Sequence, residues 1–131
     1  MPNLNSYRYD EEKSQEGVWF KTIEGLQLKI ARAGNVKAAR LTRKLGVENQ
    51  RRLRRTDAGD LMNDLGKQVA AKHILVGWKD IEDDNGVPIP YSSEKALQLF
   101  NEYEEFYVEV MEYAGRDDEF RDSMVEEAVK N

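Results

Sequence analysis

Two prolines that follow an acidic turn divide this chain, and they constrain its fold more than any other feature. The segment over residues 73–92 reads HILVGWKDIEDDNGVPIPYS. Pro88 and Pro90 push the residues before them out of the α region, so the chain cannot be helical there. The sequence therefore predicts two helical regions joined by a proline-braced turn over residues 79–91.

The residues around this turn suggest structural roles. Gly86 ends the run DDNG, in which Asn and Gly tolerate positive φ, so we predict a tight turn there. The apolar run that contains Trp78 is predicted to be the buried end of a helix closing on Gly77, with Trp78 as the anchor of the junction. Ser92 is placed to cap the next helix.

The N-terminal third predicts an arm and a hairpin. Residues 1–16 are polar and are predicted to form a mobile arm. Residues 17–32 alternate between apolar and polar side chains, which favours a β-hairpin with a three-residue loop and Gly25 in the left-handed region. That register places Phe20 on the face that packs and Trp19 on the face that meets water.

Residues 35–131 predict a helical body. Asn35 is a candidate N-cap for a basic helix over residues 36–55, which Gly46 could divide into two. A central core helix should start at Thr56 or Asp57, because the apolar side chains that follow it recur with helical spacing. The residues of that apolar face are Leu61, Met62, Leu65, Val69, His73 and Val76.

Two further helices are predicted after the proline turn. One runs to Ala114 and ends at Gly115, and a short final helix begins near Asp117. The predicted fold class is therefore α+β: mainly α with a small N-terminal β-hairpin, and about four to five helices packed as a single compact domain over residues 17–131.

The composition argues against catalytic and metal sites. The chain has no cysteine and one histidine, so thiolate sites and two-histidine sites cannot be built. No phosphate-binding glycine loop is present. We therefore expect no enzyme, no catalytic residues, no cofactor and no metal. No apolar run reaches membrane length and the start lacks a secretory apolar region, so we also expect no membrane contact.

Charge is distributed unevenly along the chain. Residues 29–55 carry ten Lys or Arg and one Glu, a net charge of +9, whereas residues 80–131 carry a net charge of −12. Such a molecule could pair weakly with copies of itself or fold its own halves together. The candidate partner-binding surface consists of Arg40, Arg43, Arg51, Arg52, Arg54 and Arg55. Nucleic acid is the less favoured partner, because the chain is acidic overall and no aromatic residue lies among these arginines.

Two runs carry a family resemblance. They are GVWFKTIEGLQLKIARAGN near the start and AKHILVGWKDIEDDNGVPIPYSSEKALQLF over residues 71–100. Together they resemble the tail assembly chaperones of long-tailed bacteriophages. The resemblance implies a protein of the host cytoplasm that coats the tape measure protein, keeps it soluble and recruits tail tube subunits. It also implies absence from the finished particle, and it assigns no site residues.

The sequence leaves two other functions open. One is a nucleic-acid-binding regulator that uses residues 29–55, and salt-dependent binding to DNA would support it. The other is a structural virion protein of the tail or the head-tail junction, for which presence in purified particles would speak.

Overall fold

A three-stranded antiparallel sheet is the centre of this computed structural model, which describes residues 3–121. The strands are β1 (Val18–Lys21), β2 (Gln27–Ile30) and β3 (Leu75–Lys79), in the order β1-β2-β3. One face of the sheet is buried under helices, and the other face is open. The class is α+β, as the sequence predicts.

The hairpin has the predicted register. Trp19 pairs with Lys29, and Phe20 pairs with Leu28. The backbone N–H of Thr22 donates to Leu26, which closes a three-residue loop in which Gly25 has a φ of +90°. Leu28 is fully buried, whereas Trp19 on the opposite face is exposed.

The third strand corrects a prediction. The sequence pattern places the run that contains Trp78 at the end of a helix, but Leu75–Lys79 instead pairs with β2, and Leu28 faces Trp78. The preceding helix ends at His73. The physical reason is that a two-stranded hairpin is marginally stable alone and leaves the edge of β2 unpaired. A third strand pairs with that edge, and β-branched and aromatic side chains such as Val76 and Trp78 favour a strand.

Six α-helices surround the sheet in the described residues. Their bounds are α1 Glu11–Glu16, α2 Val36–Glu48, α3 Gln50–Leu53, α4 Ala58–His73, α5 Ser93–Glu102 and α6 Glu104–Ala114. Short 3-10 helices lie at Leu4–Tyr7 and Asp117–Phe120. The predicted final helix lies mostly outside the described residues.

Two helix boundaries differ from the sequence-based prediction. The basic helix is divided at Asn49 rather than at Gly46, and Asn49 donates from its side chain to the Leu45 carbonyl. The helix after the proline turn is also divided, at Tyr103, whose φ and ψ of −124° and 87° are not helical. On α4, Met62 is exposed although its spacing predicts burial.

The N-terminal segment is packed where the sequence predicts a mobile arm. Ser14 on α1 is buried, and its hydroxyl accepts a hydrogen bond from Arg32 Nε at 3.0 Å. The Arg32 guanidinium also lies 4.1 Å from the centre of the Tyr9 ring. The Asp10 N–H donates to the Phe120 carbonyl. These contacts are far apart in sequence, so local composition does not reveal them.

The core lies between the sheet and helices α4 to α6. Its fully buried members include Leu28, Ile30, Leu75, Phe100 and Val110. Lys67 on α4 is also buried, and its ammonium group pairs with Glu104 at the start of α6. This ion pair joins α4 to α6 beside the break at Tyr103.

The side chain of Asp83 closes the turn that precedes the two prolines. Asp83 Oδ1 accepts from the N–H groups of Asn85 and Val87, at 2.9 and 3.0 Å. Gly86 has the expected positive φ, +77°. Pro88 pairs with Glu82 in an isolated bridge, and Pro90 precedes the helix cap at Ser92.

We expect Gly86→Val to lower the free energy of unfolding by about 1 kcal/mol, because a β-branched residue resists positive φ. Space is not the cause, since a Cβ at Gly86 would meet only a Glu82 carboxylate oxygen, at 4.0 Å. Gly86→Asn is the matched control and should cost less, because Asn tolerates this conformation. Urea denaturation of both variants measures the difference, and equal losses would contradict this explanation.

Candidate interaction surfaces

An apolar groove with an acidic rim lies between α5, α6, the proline turn and the hairpin loop, and it has a volume of about 490 Å³. Half-buried apolar side chains that continue into the core form its floor: Leu26, Ile81, Ile89, Leu99 and Phe106. Seven carboxylates and one lysine are also in its lining: Glu24, Glu82, Asp83, Asp84, Glu102, Glu105, Glu109 and Lys95. We call this feature the acidic groove.

The carboxylates of the acidic groove act on one another. Partial burial, together with the charges of Glu24 and Glu112, raises the pKa of Glu109. The negative charge of Glu102 raises the pKa of Tyr103. Lys95, the cation of the lining, donates to the side chain of Gln98 on its own helix. The groove therefore favours a ligand that brings positive charge and apolar surface together.

The outer face of α2 has the opposite charge. Val36, Arg40, Arg43, Lys44 and Val47 follow the spacing i, i+4, i+7, i+8 and i+11, which places them on one stripe of the helix. All five are exposed, and Val47 remains 69% exposed. Lys44 makes a long, exposed ion pair with Glu48, at 4.0 Å, which contributes little stability. We call this stripe the basic face.

The six arginines predicted as a partner surface are all exposed. Arg40 and Arg43 lie on α2, Arg51 and Arg52 on α3, and Arg54 and Arg55 in the turn that follows. Within residues 3–121, none of these guanidinium groups has a carboxylate oxygen within 4.0 Å. These six guanidinium groups are therefore exposed and without an ion pair in the described part of the chain.

The predicted basic segment 29–55 does not form one surface. Lys29 lies on the open face of the sheet, next to Gly77. Arg32 donates hydrogen bonds to the Ser14 hydroxyl and to the Gly34 carbonyl, and its guanidinium group packs over the Tyr9 ring. Within residues 3–121, the exposed cations of this segment lie on α2, on α3 and in the turn that follows.

The basic face and the acidic groove are separate surfaces of one molecule. Helix α4 packs against both α2 and α5, and no residue of α2 lines the groove. The two surfaces therefore do not neutralise each other within a single copy. Sequence reasoning locates the opposing charges but misses the groove, because its floor is assembled from segments that are distant in sequence.

Other candidate chemistry is sparse in the described part of the chain. No group of three or more His, Asp or Glu side chains there is arranged to hold a metal ion. The single histidine, His73, is half-buried at the end of α4, where burial and then Lys37 lower its pKa. None of the helices between residues 3 and 121 has the length and apolar character needed to cross a bilayer.

Comparison with known families places this α+β domain among proteins of phage origin. Residues 29–131, which are most of the chain, match the model of the YdaY prophage protein family. The chain belongs to this family. No curated protein and no solved structure matches it.

Proposed function

We propose that this phage protein is a tail assembly chaperone that coats the tape measure protein and promotes polymerisation of the tail tube. The family is a prophage family, and the resemblance in the hairpin and in residues 71–100 supports the finer assignment. The role is one of binding rather than of catalysis. It is carried out in the host cytoplasm during assembly, and the protein is not retained in the mature virion.

The observation that carries this proposal is the separation of the basic face from the acidic groove. A coat along an extended client needs subunits that bind one another weakly, in addition to binding the client. Two separated surfaces of opposite charge, each with exposed or accessible apolar groups, provide for such contacts. Weak pairing also lets the coat be displaced as tube subunits arrive.

The test is co-expression with the tape measure protein of the same phage. We expect the tape measure protein to be recovered in the soluble fraction, and to co-purify, only when this chain is present. Apolar contacts with the client should survive moderate salt, because burial of apolar surface is not screened. A tape measure protein that is equally soluble alone would contradict the chaperone function.

Binding to nucleic acid is the second candidate, favoured by the exposed arginines of α2, α3 and the turn that follows. If it holds, a DNA mobility shift should appear at moderate salt and fall steeply as salt rises. Arg51→Ala combined with Arg52→Ala should then weaken binding to all sequences alike, because phosphate contacts carry no sequence information. A structural virion role predicts the chain in purified particles.

A further inference from the structure

The basic face presents exposed apolar and cationic groups along one stripe of α2. Val36 and Val47 are 44% and 69% exposed, at either end of a stripe about 16 Å long. Arg40, Arg43 and Lys44 lie between them. An exposed stripe of this kind suits a groove that is apolar at its floor and acidic at its rim.

The acidic groove offers those features. Leu99 and Phe106 are part of its apolar floor, and Glu102 and Glu105 are part of its rim. Partial burial, and after it the charges of Glu24 and Glu112, raises the pKa of Glu109, and a cationic partner at the rim would favour the charged form of this carboxyl. Its volume of about 490 Å³ is sufficient for several aliphatic side chains.

We propose that the basic face of one copy docks in the acidic groove of a second copy, with Val47 against the apolar floor and Arg40 and Arg43 against the rim. This inference rests on the proposed coat-forming function and identifies the surfaces that join its subunits. The partner is a second copy because the two complementary surfaces occur on the same chain and do not meet within it.

The geometry of this contact determines the kind of assembly. The two surfaces differ, so the contact is heterologous, and each docked pair retains a free basic face at one end and a free groove at the other. Copies therefore add end to end, into an open chain or a closed ring. Charge pairs at the rim would speed encounter and weaken with salt, because the Debye length is about 8 Å at physiological ionic strength.

Charge reversal of each surface tests the docking. One variant carries Arg40→Glu and Arg43→Glu, and the other carries Glu102→Lys and Glu105→Lys. All four side chains are exposed, so the folded domain should tolerate the changes. Asp60→Lys combined with Asp64→Lys is the matched control, because it makes the same charge change as the groove variant on exposed positions of α4, outside both surfaces.

Sedimentation velocity over a concentration series, at low and at high salt, is the measurement. For the wild type and the control we expect the average mass to rise with concentration at low salt and to fall at high salt. Each reversed variant alone should associate at least roughly tenfold more weakly. An equimolar mixture of the two should regain association, because the reversed basic face then meets the reversed groove while the native surfaces also pair.

Val47→Ser separates docking from general attraction between unlike charges. It leaves every charge in place, yet it should weaken association several-fold by removing the apolar contact. The docking model is overturned if the wild type stays monomeric at low salt, if either reversed variant associates like the control, or if the mixture regains nothing.

Client solubility distinguishes this inference from the proposed function. If the wild type self-associates but the tape measure protein stays insoluble in its presence, the docking proposal stands and the chaperone function is wrong. If the groove variant loses the client but self-associates normally, the groove binds the client and the docking is wrong.

Discussion

Replacing Asn35 by Ala is expected to lower the free energy of unfolding by about 3 kcal/mol, because it removes a helix cap and leaves buried backbone groups unpaired. Asn35 is 1% exposed, and its side-chain carbonyl accepts from the Ala38 N–H at the start of α2. Its amide donates to the carbonyls of Arg32 and His73, at 2.7 and 3.0 Å. The substitution removes the side-chain partner of the Ala38 N–H and of the His73 carbonyl, whereas the Arg32 carbonyl still accepts from the Asn35 backbone N–H. Urea denaturation monitored by circular dichroism measures the loss.

Ser92→Ala is the matched control for the capping contribution. Ser92 is also an N-cap, and its hydroxyl accepts from the Lys95 N–H at 3.0 Å, but it is exposed. We expect a loss of only about 1 kcal/mol there. If both substitutions cost the same, the buried contacts of Asn35 contribute nothing beyond the cap.

Asn35→Asp gives this prediction a pH dependence. The carboxylate would face two carbonyl oxygens in a buried site, which raises its folded-state pKa above its unfolded value. The variant's deficit in stability should therefore be smallest below about pH 4, where the carboxyl is protonated in both states. It should grow as the pH rises, and a deficit that is independent of pH would contradict the assignment.

Trp78→Ala is expected to cost about 3 kcal/mol or more, because it removes a large side chain from a packed site. Trp78 is 8% exposed and meets the Tyr91 ring edge-on, with the ring centres 4.9 Å apart. Its Nε1 donates to the Ile89 carbonyl at 2.7 Å, which joins β3 to the proline turn. Equilibrium denaturation followed by circular dichroism is the measurement.

Two controls divide this effect into its parts. Trp78→Phe keeps most of the apolar contact and loses the hydrogen bond, so about 1 to 2 kcal/mol is expected. Trp19→Ala removes the other tryptophan, which is 43% exposed on the open face of the sheet beneath Lys79, and should cost much less. Strong iodide quenching of Trp78 in the folded protein would show that the side chain is exposed and would contradict the prediction.

The sequence predicts those parts of the fold that local chemistry determines. The hairpin loop at Gly25 and the caps at Asn35 and Ser92 all depend on residues within a few positions of one another. The run over residues 74–78 is wrongly predicted as helix because a short apolar run has no clear period, and strand pairing decides the outcome. No glycine or proline marks the break at Tyr103.

The candidate surfaces are predictable only in part. A count of charges locates the cations of α2 and α3 and the carboxylates after residue 80, since both are properties of the sequence. The acidic groove is not predictable, because Leu26, Ile81 and Phe106 meet only in the folded chain. Arg32 belongs to the basic run by sequence, yet in the folded domain its guanidinium group donates a hydrogen bond to the Ser14 hydroxyl.

The position of β3 in the sequence, far from β2, limits the order in which this domain can fold. Three helices, α2 to α4, lie between β2 and its second partner strand in the chain. A lone hairpin is at best marginally stable in water, so β1 and β2 are expected to become stable only when the helical segment has formed and β3 pairs with β2. We therefore expect folding to depend on this long-range pairing, and its loop-closure entropy to slow folding relative to a helical bundle of this length. During synthesis, the unpaired edge of β2 is left open until the ribosome has released residue 79.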